Sequence, residues 1–249
     1  MTWDAYLDAF HRQHPGITEA LLTRAHNAGT NPYQWLADAA PAQGQVLDLG
    51  CGNAPMRTAL PTAARYLGVD RSPNELAAAQ AGRAAPLLRA DATSLPIAAS
   101  SIDTVICSMA LMLLTPLPRA LTEIHRVLRP GGLLIATLPA SGPLHPHDFL
   151  TVGALLLALR RPLRYPNDDA LRTVPAVLEA AGLDLLIEER RRFTLPLTGP
   201  ADAQLLLDSL YLPALTPAGH RRALRTLRSV AAAGIEFPIP LKRFTARAR

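Results

Sequence analysis

The sequence predicts a doubly wound α/β fold, in which helices cover both faces of a largely parallel sheet. Two observations predict it. Between residues 45 and 139, short apolar runs of strand length alternate with helical stretches, an order that implies parallel strands joined by right-handed crossovers. The chain has 249 residues, of which 49% are hydrophobic, and this is ample for a sizeable core.

Residues 1–40 precede this alternation and are predicted to form an N-terminal helical cap. The predicted helices are TWDAYLDAFHRQH, which Pro15 ends, then ITEALLTRAHN, and then PYQWLADAA. Asn31 is a favourable N-cap for the third helix because a proline follows it at the first helical position.

Residues 41–249 are predicted to form one domain with seven strands, the last of them antiparallel. The predicted strands are QVLDLG, RYLGVD, PLLRAD, IDTVICS, LLIATLP, LDLLIEERRRF and EFPIPLKRFTARAR. The segment NDDALRTVPAVLEAAG reads as one regular helix before the sixth strand, with Gly182 at its C-terminal end. Segments 141–167 and 199–233 are predicted to add helices that form a lid.

Composition narrows the class of protein. No window has the 17 or more apolar residues that span a bilayer, and the first residues carry acids where a signal peptide has bases, so we expect a cytoplasmic protein. Cys51 and Cys107 are not at zinc spacing, so neither a structural metal nor a disulfide is expected.

The net charge of +5 comes from arginine, with Lys242 the only lysine. The densest run of arginines, residues 190–192, follows two glutamates in a predicted strand, where neighbouring side chains point to opposite faces. No nucleic-acid partner is therefore expected.

The stretch VLDLGCGNAP, residues 46–55, carries the clearest functional signal. Gly50 and Gly52 allow a sharp turn and let a ligand lie against the main chain at a helix N-terminus. Asp70, which ends the second strand, is placed to accept hydrogen bonds from a ribose diol. Asp48 would repel a pyrophosphate but attract an ammonium or a sulfonium, and Asp91 can accept a hydrogen bond from an exocyclic amine such as adenine N6.

Five segments in order make the chain resemble the class I S-adenosylmethionine-dependent methyltransferases, particularly the branch with the ubiquinone and menaquinone C-methyltransferases. The segments are VLDLGCGNA, GVDRS, ADATSLP, IDTVICSMALMLL and LTEIHRVLRPGGLLIATLP. The resemblance implies a Rossmann-like sheet, S-adenosylmethionine as cofactor, and a glycine loop against its methionyl part. It further implies that Asp70 holds the ribose, that Asp91 and Ala92 contact the adenine, and that the segment after the fourth strand passes beside the transferable methyl. The cofactor-binding candidates are therefore Asp48, Gly50, Cys51, Gly52, Asp70, Arg71, Asp91, Ala92, Ser108 and Met109.

Two departures from the family pattern bear on function. Ala54 and Pro55 stand where a third glycine is frequent, which indicates a variant loop shape with binding retained. The segment after the fourth strand lacks the Asn/Asp-Pro-Pro-aromatic signature of enzymes that methylate amino groups of nucleic-acid bases, so that reaction is disfavoured.

Catalytic residues are less well specified. Methyl transfer from a sulfonium is an in-line displacement that depends on holding donor and acceptor together, and no general base is obligatory. If the acceptor loses a proton, histidine is the commonest base. The candidates are His14, in the N-terminal helices with His11, and His145 and His147, in the loop after the fifth strand.

The acceptor is expected to be a small hydrophobic or aromatic molecule. The apolar segments 149–159 and 205–215 would enclose it, with Arg160, Arg161 or Arg164 available for an acidic group; ordinary core packing also explains these segments.

Three other functions stay open: an RNA methyltransferase, a nicotinamide-dependent oxidoreductase, and a protein that binds the donor without transferring methyl. The sequence leaves the oligomeric state undetermined.

Overall fold

The computed structural model describes residues 2–82 and 86–249. Within them seven strands form one sheet. The strands are β1 (Gly44–Leu49), β2 (Ala64–Asp70), β3 (Leu87–Arg89), β4 (Ile102–Ser108), β5 (Leu128–Pro139), β6 (Leu183–Leu195) and β7 (Phe237–Ala248).

Helices precede β1, connect most of the strands and form the insertions on either side of β6. They are α1 (Trp3–Gln13), α2 (Ile17–Leu22), α3 (Pro32–Ala37), α4 (Met56–Ala59), α5 (Pro73–Ala81), α6 (Leu117–Val127), α7 (Pro146–Leu159), α8 (Val174–Ala180), α9 (Pro200–Asp208) and α10 (Pro217–Ala232). Among them, none is long and apolar enough to cross a bilayer.

The strand order is β3-β2-β1-β4-β5-β7-β6. β1 pairs in parallel with β2 and β4, and β7 pairs antiparallel with β5 and β6. This confirms the predicted mostly parallel sheet with its one antiparallel strand. The chain moves outward from β1 to β3 and then returns to place β4 on the other side of β1. A ligand crevice is expected at such a switch point, beyond the carboxyl ends of β1 and β4.

Both faces of the sheet are buried, because successive side chains of a strand point to opposite faces. Val46 packs into the core that α3, α7, α9 and α10 cover, whereas its neighbour Leu47 packs into the core that α1, α6 and α8 cover. Val105 and Ile106 divide between the same two cores. The continuous apolar strands of the sequence follow from this two-sided burial.

The segment predicted as one regular helix before β6 is divided. Ala170–Thr173 is a 3₁₀ turn and α8 begins only at Val174, with Pro175 in its first turn. Proline has no N–H to donate and its ring is tolerated only in the first turn of an α-helix. The prediction of a continuous helix was therefore wrong.

A buried ion pair fixes α7 to the sheet. Asp148 is fully buried, and its two oxygens accept hydrogen bonds from Nε and Nη2 of Arg192 on β6, at 2.6 and 2.7 Å. Asp148 also accepts from the backbone N–H of His145, at 2.7 Å. The arginine holds the pKa of the Asp148 carboxyl below its usual value.

We expect Arg192→Met to lower the free energy of unfolding by about 2 kcal/mol, since it leaves a buried carboxylate without its cation. Urea unfolding followed by circular dichroism measures this. Arg190→Met on the same strand, where the side chain is half exposed and pairs with Glu188, should change stability by no more than about 0.5 kcal/mol. Equal losses in the two variants would contradict the role given to the buried pair.

Candidate active site

A cavity lies beyond the carboxyl ends of β1 and β4, at the switch point of the sheet. The loops that follow β1, β2, β3 and β4 form its floor and sides, and α1 and α2 lie over it. All ten residues predicted to bind a cofactor line this cavity: Asp48, Gly50, Cys51, Gly52, Asp70, Arg71, Asp91, Ala92, Ser108 and Met109.

The loop after β1 can approach its neighbours closely only because it carries glycine. Gly50 has φ of +70°, a left-handed conformation, and a Cβ there would lie 2.6 Å from the Cβ of Ala110. Gly52 has φ of +54°, and its missing Cβ leaves room for the carboxylate of Glu19. Ala54 also has positive φ, at +66°, so the variant residues of the motif keep the bend at some cost in strain.

Asp70 braces this loop from the end of β2. Its Oδ2 accepts from the backbone N–H of Gly52 at 2.9 Å, and its Oδ1 accepts from the N–H of Ser72 at 2.8 Å. Each carboxylate oxygen can accept a second hydrogen bond. Among the described residues these are the partners of the carboxylate, so one acceptor position stays open on each oxygen, and this suits the two hydroxyls of a ribose.

Asp48 is 1% exposed and lines the same cavity. Its Oδ2 accepts from the hydroxyl of Tyr66 at 2.8 Å, whereas Oδ1 has no hydrogen-bond partner within the described residues. Burial raises the pKa of Asp48 to about 7. An unpartnered buried carboxylate oxygen is costly, so it indicates a ligand that supplies positive charge or a donor.

Two further carboxylates in the wall were not found from the sequence. Glu19 of α2 accepts from the backbone N–H of Asn53 at 3.3 Å, and burial beside Glu75 and Asp70 raises its pKa to about 8. Glu75 of α5 is 3% exposed and lies 2.8 Å from Nδ1 of His11. Neither belongs to a recognisable motif, because each reaches the loop from a different helix.

α1 is held over the cavity by charge. Arg71 donates to Asp4 and Asp8 of α1, at 2.9 and 2.6 Å, and the three side chains are partly exposed. Arg71 therefore lines the cavity, as predicted, while its guanidinium is engaged by the overlying helix. Asp91, on the opposite side, accepts from the backbone N–H and the hydroxyl of Thr93 through Oδ1.

The three histidines proposed as bases lie outside this wall. His145 precedes α7 as its N-cap, and the His147 side chain is 65% exposed beside Asp148. His14 caps the C-terminal end of α1. Of the N-terminal histidines, His11 is the one that lines the cavity.

A second cavity of about 230 Å³ adjoins the first and is almost entirely apolar. Leu155 and Leu156 of α7, Leu206 of α9 and Pro238 of β7 contribute to its wall. The two cavities share Thr18, Met109 and Tyr211. Met109 has φ of +54° and donates its N–H to the carbonyl of Thr137 at 3.0 Å. A residue with strained backbone therefore lies in the wall that the two cavities share.

The raised pKa values of Glu19 and Asp48 predict how stability depends on pH. Between about pH 4.5 and pH 8 these groups hold protons in the folded chain that the unfolded chain releases, so the free energy of unfolding should fall as pH rises through this window. Urea titrations from pH 5.5 to 8.5 measure it. Glu19→Gln should flatten this decline, and Glu179→Gln, at an exposed position on α8, should not; an unchanged slope in Glu19→Gln would contradict the assignment.

The first cavity suits S-adenosylmethionine on three structural grounds. The free oxygen of Asp48 offers a partner to a cationic ligand. The glycines at positions 50 and 52 leave room in the cavity wall, because a Cβ at Gly50 would meet Ala110 and a Cβ at Gly52 would meet Glu19. Asp70 offers acceptors for a ribose at the end of β2. A pyrophosphate, by contrast, would face the carboxylates of Asp48, Glu19 and Glu75 in the same wall.

Comparison with known proteins agrees with this arrangement. Residues 47–136 match a family described as a methyltransferase domain. The chain is 37% identical over 102 residues to the malonyl-[acyl-carrier protein] O-methyltransferase of Pectobacterium atrosepticum, which is 40% of this chain and 40% of that protein. It is 32% identical over 157 residues to the trans-aconitate 2-methyltransferase of Deinococcus radiodurans, which is 62% of this chain and 56% of that protein. The chain thus matches about two fifths and just over half the length of these two relatives.

Solved structures share the fold at low identity. The [4+2]-cyclase SpnF has a TM-score of 0.54 at 23% identity, over 87% of this chain and 79% of that one. An N-methyltransferase of Haemonchus contortus, solved with phosphomonomethylethanolamine and S-adenosylhomocysteine, has a TM-score of 0.56 at 16% identity, over 100% of this chain and 60% of that one. The matched domain, the order of the strands and the glycine loop with its acids lead to one conclusion: the chain contains, at residues 47–136, a methyltransferase domain of the class I, S-adenosylmethionine-dependent kind.

Proposed function

We propose that the protein transfers a methyl group from S-adenosylmethionine to a small apolar molecule held in the second cavity. The observation that carries this proposal is the meeting of the two cavities. An acidic space with a glycine loop adjoins an apolar space, and the two share Thr18, Met109 and Tyr211. A donor in the first space and an acceptor in the second would therefore face each other across these three residues.

In this proposal, the ten predicted residues bind the donor. Asp70 would hold the ribose, and Asp91 with Ala92 would contact the adenine. The loop Gly50–Gly52 would lie against the methionyl part, near Asp48, while Ser108 and Met109 would flank the methyl. The support is that all of them line one cavity and that Asp48 keeps an unpartnered oxygen there.

S-adenosylmethionine supplies an activated methyl on a positively charged sulfur. A lone pair of the acceptor would form the new bond to the methyl carbon as the carbon–sulfur bond breaks. The electron pair of the broken bond would stay on sulfur, and a proton that the acceptor loses would pass to solvent. The chain's part is to orient the two reactants and exclude water, since α1 and α2 cover the first cavity and α7 and α9 wall the second. Donor binding and positioning account for this function without an assigned general base.

The inserted helices are proposed to form the lid that selects the acceptor. Leu206 of α9, and Leu210 and Tyr211 just after it, line the apolar cavity together with Val152 and Leu155 of α7. The curated relatives are named for malonyl-[acyl-carrier protein] and for trans-aconitate, and these names do not agree on an acceptor. Apolar lining is the feature that favours a hydrophobic body in the acceptor of this protein.

A small molecule is favoured over RNA because the arginine run of β6 is already engaged. Arg190 pairs with Glu188, Arg192 pairs with Asp148, and the guanidinium of Arg191 lies 5.0 Å from the ring centroid of Trp35. Such pairing leaves little free charge for phosphates. The cytoplasm is the location we propose, because Cys51 and Cys107 are free thiols of the kind that a reducing compartment maintains.

The proposal is tested in two stages with the purified chain. Calorimetry with S-adenosylmethionine, S-adenosylhomocysteine and NADH should show binding of the first two only. Incubation of small-molecule extracts with S-adenosylmethionine carrying a deuterated methyl should then label molecules that gain one methyl group. Binding of NADH alone would favour an oxidoreductase, labelling confined to RNA would favour the RNA enzyme, and donor binding without any labelled product would favour a protein that does not transfer methyl.

A further inference from the structure

A third cavity, of about 640 Å³, lies against the apolar one at the edge formed by β5, β7 and the segment after α7. It differs from the other two in charge, since its wall carries four cations, Arg164, Arg172, Arg190 and Lys242, and one carboxylate, Asp168. We call it the basic cleft. The basic cleft and the apolar cavity have six lining residues in common: Met112, Pro139, Ala140, Ser141, Leu163 and Tyr165.

Lys242 is the unusual member of this wall. The only lysine of the chain is 8% exposed, on β7, and its Nζ donates to the carbonyl of Leu171 at 2.9 Å. An ammonium has three donors. Within residues 2–82 and 86–249, no carboxylate lies within 4.0 Å of this nitrogen. Burial lowers the pKa of Lys242 below its ordinary value; Glu188 raises it from further away, and Arg190 lowers it.

A buried cation without a counter-ion is costly, and proteins pair such groups or use them to bind an anion. Two neighbouring arginines of the basic cleft do have acidic partners: Arg190 lies 3.2 Å from Glu188, and Arg172 lies 3.5 Å from Asp169. Lys242 and Arg164 have no such partner within the described residues. The unsatisfied positive charge of the basic cleft therefore lies on Lys242 and Arg164, and the residues next to them in the chain, Leu241, Leu163 and Tyr165, line the apolar cavity.

We propose that the methyl acceptor is a monocarboxylic acid whose carboxylate binds to Lys242 and Arg164 in the basic cleft while its apolar body occupies the adjoining cavity. This inference rests on the proposed function and names the substrate class. The acid is held at the end remote from the donor, so the methylated atom lies elsewhere in the molecule. A carboxylate is favoured over a phosphate dianion because Asp168 in the same wall repels the extra charge.

Of the arginines that the sequence offered for an acidic group, Arg164 is the one in this cleft. Arg160 ends α7 as its exposed C-cap, in a left-handed conformation. Arg161 donates to the carbonyl of Pro213 at 2.5 Å and so connects the segment after α7 to the loop after α9. Arg160 therefore provides a matched control for charge at this edge of the protein.

The test uses alkanoates from hexanoate to decanoate, each against its neutral carboxamide, titrated by calorimetry into the full chain saturated with S-adenosylhomocysteine. The wild-type protein should bind at least one alkanoate about tenfold or more tightly than its amide, as expected for a hydrogen-bonded charge pair. Lys242→Met should abolish this preference and leave amide binding in place. Arg160→Gln should retain the preference in full.

Equal affinity for acid and amide across the series, or a preference that persists in Lys242→Met, would overturn the proposal. Tighter binding of an alkyl phosphate than of the matching alkanoate would overturn the choice of carboxylate. If Lys242→Met does not fold, Arg164→Gln gives the same decision: alkanoate binding should weaken about threefold or more with amide binding unchanged, and no change in either would contradict the proposal. Affinity for S-adenosylhomocysteine is measured on the same samples. If S-adenosylhomocysteine binds but the alkanoates show no preference over their amides, the carboxylate proposal fails alone; if S-adenosylhomocysteine does not bind, the proposed function fails as well.

Discussion

Asp70→Asn should weaken the binding of S-adenosylmethionine and S-adenosylhomocysteine on the order of 100-fold. The substitution keeps the size of the side chain but removes the negative charge and one acceptor oxygen. Two hydrogen bonds from a ribose to a carboxylate are together worth about 3 kcal/mol, which corresponds to roughly this factor. The loop would also lose support, because Asp70 accepts from the backbone of Gly52 and Ser72. Calorimetry with both ligands measures the effect.

Asp184→Asn is the matched control for this variant. Asp184 lies on β6 with a 59% exposed side chain and pairs with Arg249, at the opposite side of the sheet from β2. It should bind both ligands as the wild-type protein does. If Asp70→Asn stays folded by circular dichroism and keeps an affinity within about threefold of the wild type, the ribose assignment fails.

Gly50→Ala should both destabilise the protein and abolish donor binding. The left-handed backbone at Gly50 costs an alanine about 1–2 kcal/mol. The new Cβ would lie 2.6 Å from the Cβ of Ala110, and relief of such overpacking costs typically 1–3 kcal/mol more. We therefore expect a loss of about 3 kcal/mol in the free energy of unfolding. Affinity for S-adenosylhomocysteine should fall at least 100-fold, since the loop must move away from the cavity to relieve the contact.

The same substitution at another glycine separates this effect from a general effect of alanine. Gly153 lies within α7, and a Cβ there would have nothing within 4 Å, so Gly153→Ala should stabilise the chain by about 0.5–1 kcal/mol. The double variant Gly50→Ala with Ala110→Gly should regain the part of the loss that comes from the contact. A Gly50→Ala protein as stable as the wild type would show that the bend tolerates a side chain.

The acidic cavity also explains why a cation is the expected ligand. Asp48, Asp70, Glu19 and Glu75 all reach its wall, and the burial of Asp48 and Glu19 raises their pKa values. A positively charged sulfonium would favour the ionised forms of Asp48 and Glu19. The neutral product lacks this charge, so the same carboxylates provide a physical reason for its release.

The sequence by itself determined the sheet and the residues on the loops that follow its strands. Asp48, Asp70 and Asp91 stand at or near the ends of three successive strands, and the carboxyl ends of parallel strands meet at one edge of a sheet. The apolar runs, the glycines and the acids, together with the resemblance to a known family, were therefore enough to name ten residues that line one cavity. The helical spacing of the leucines in segment 205–215 holds only as far as Asp208, where α9 ends; Leu206 of α9 lines the apolar cavity, and so do Leu210 and Tyr211 beyond the end of the helix.

The tertiary structure alone decided which other side chains reach these spaces. Glu19 meets Asn53 across 34 residues of chain, and Glu75 meets His11 across 64, so no short motif records either contact. His145 and His147, chosen for their position after β5, lie outside the first cavity. Asp148 binds the N–H of His145 and the guanidinium of Arg192, and these contacts direct the start of α7 towards β6. Lys242 is an ordinary surface residue type in a strand of alternating character, and only the packing of β7 against Leu171 leaves its charge buried beside a cavity. Contacts of this kind depend on how helices settle on the sheet, which the hydrophobic period along the chain does not specify.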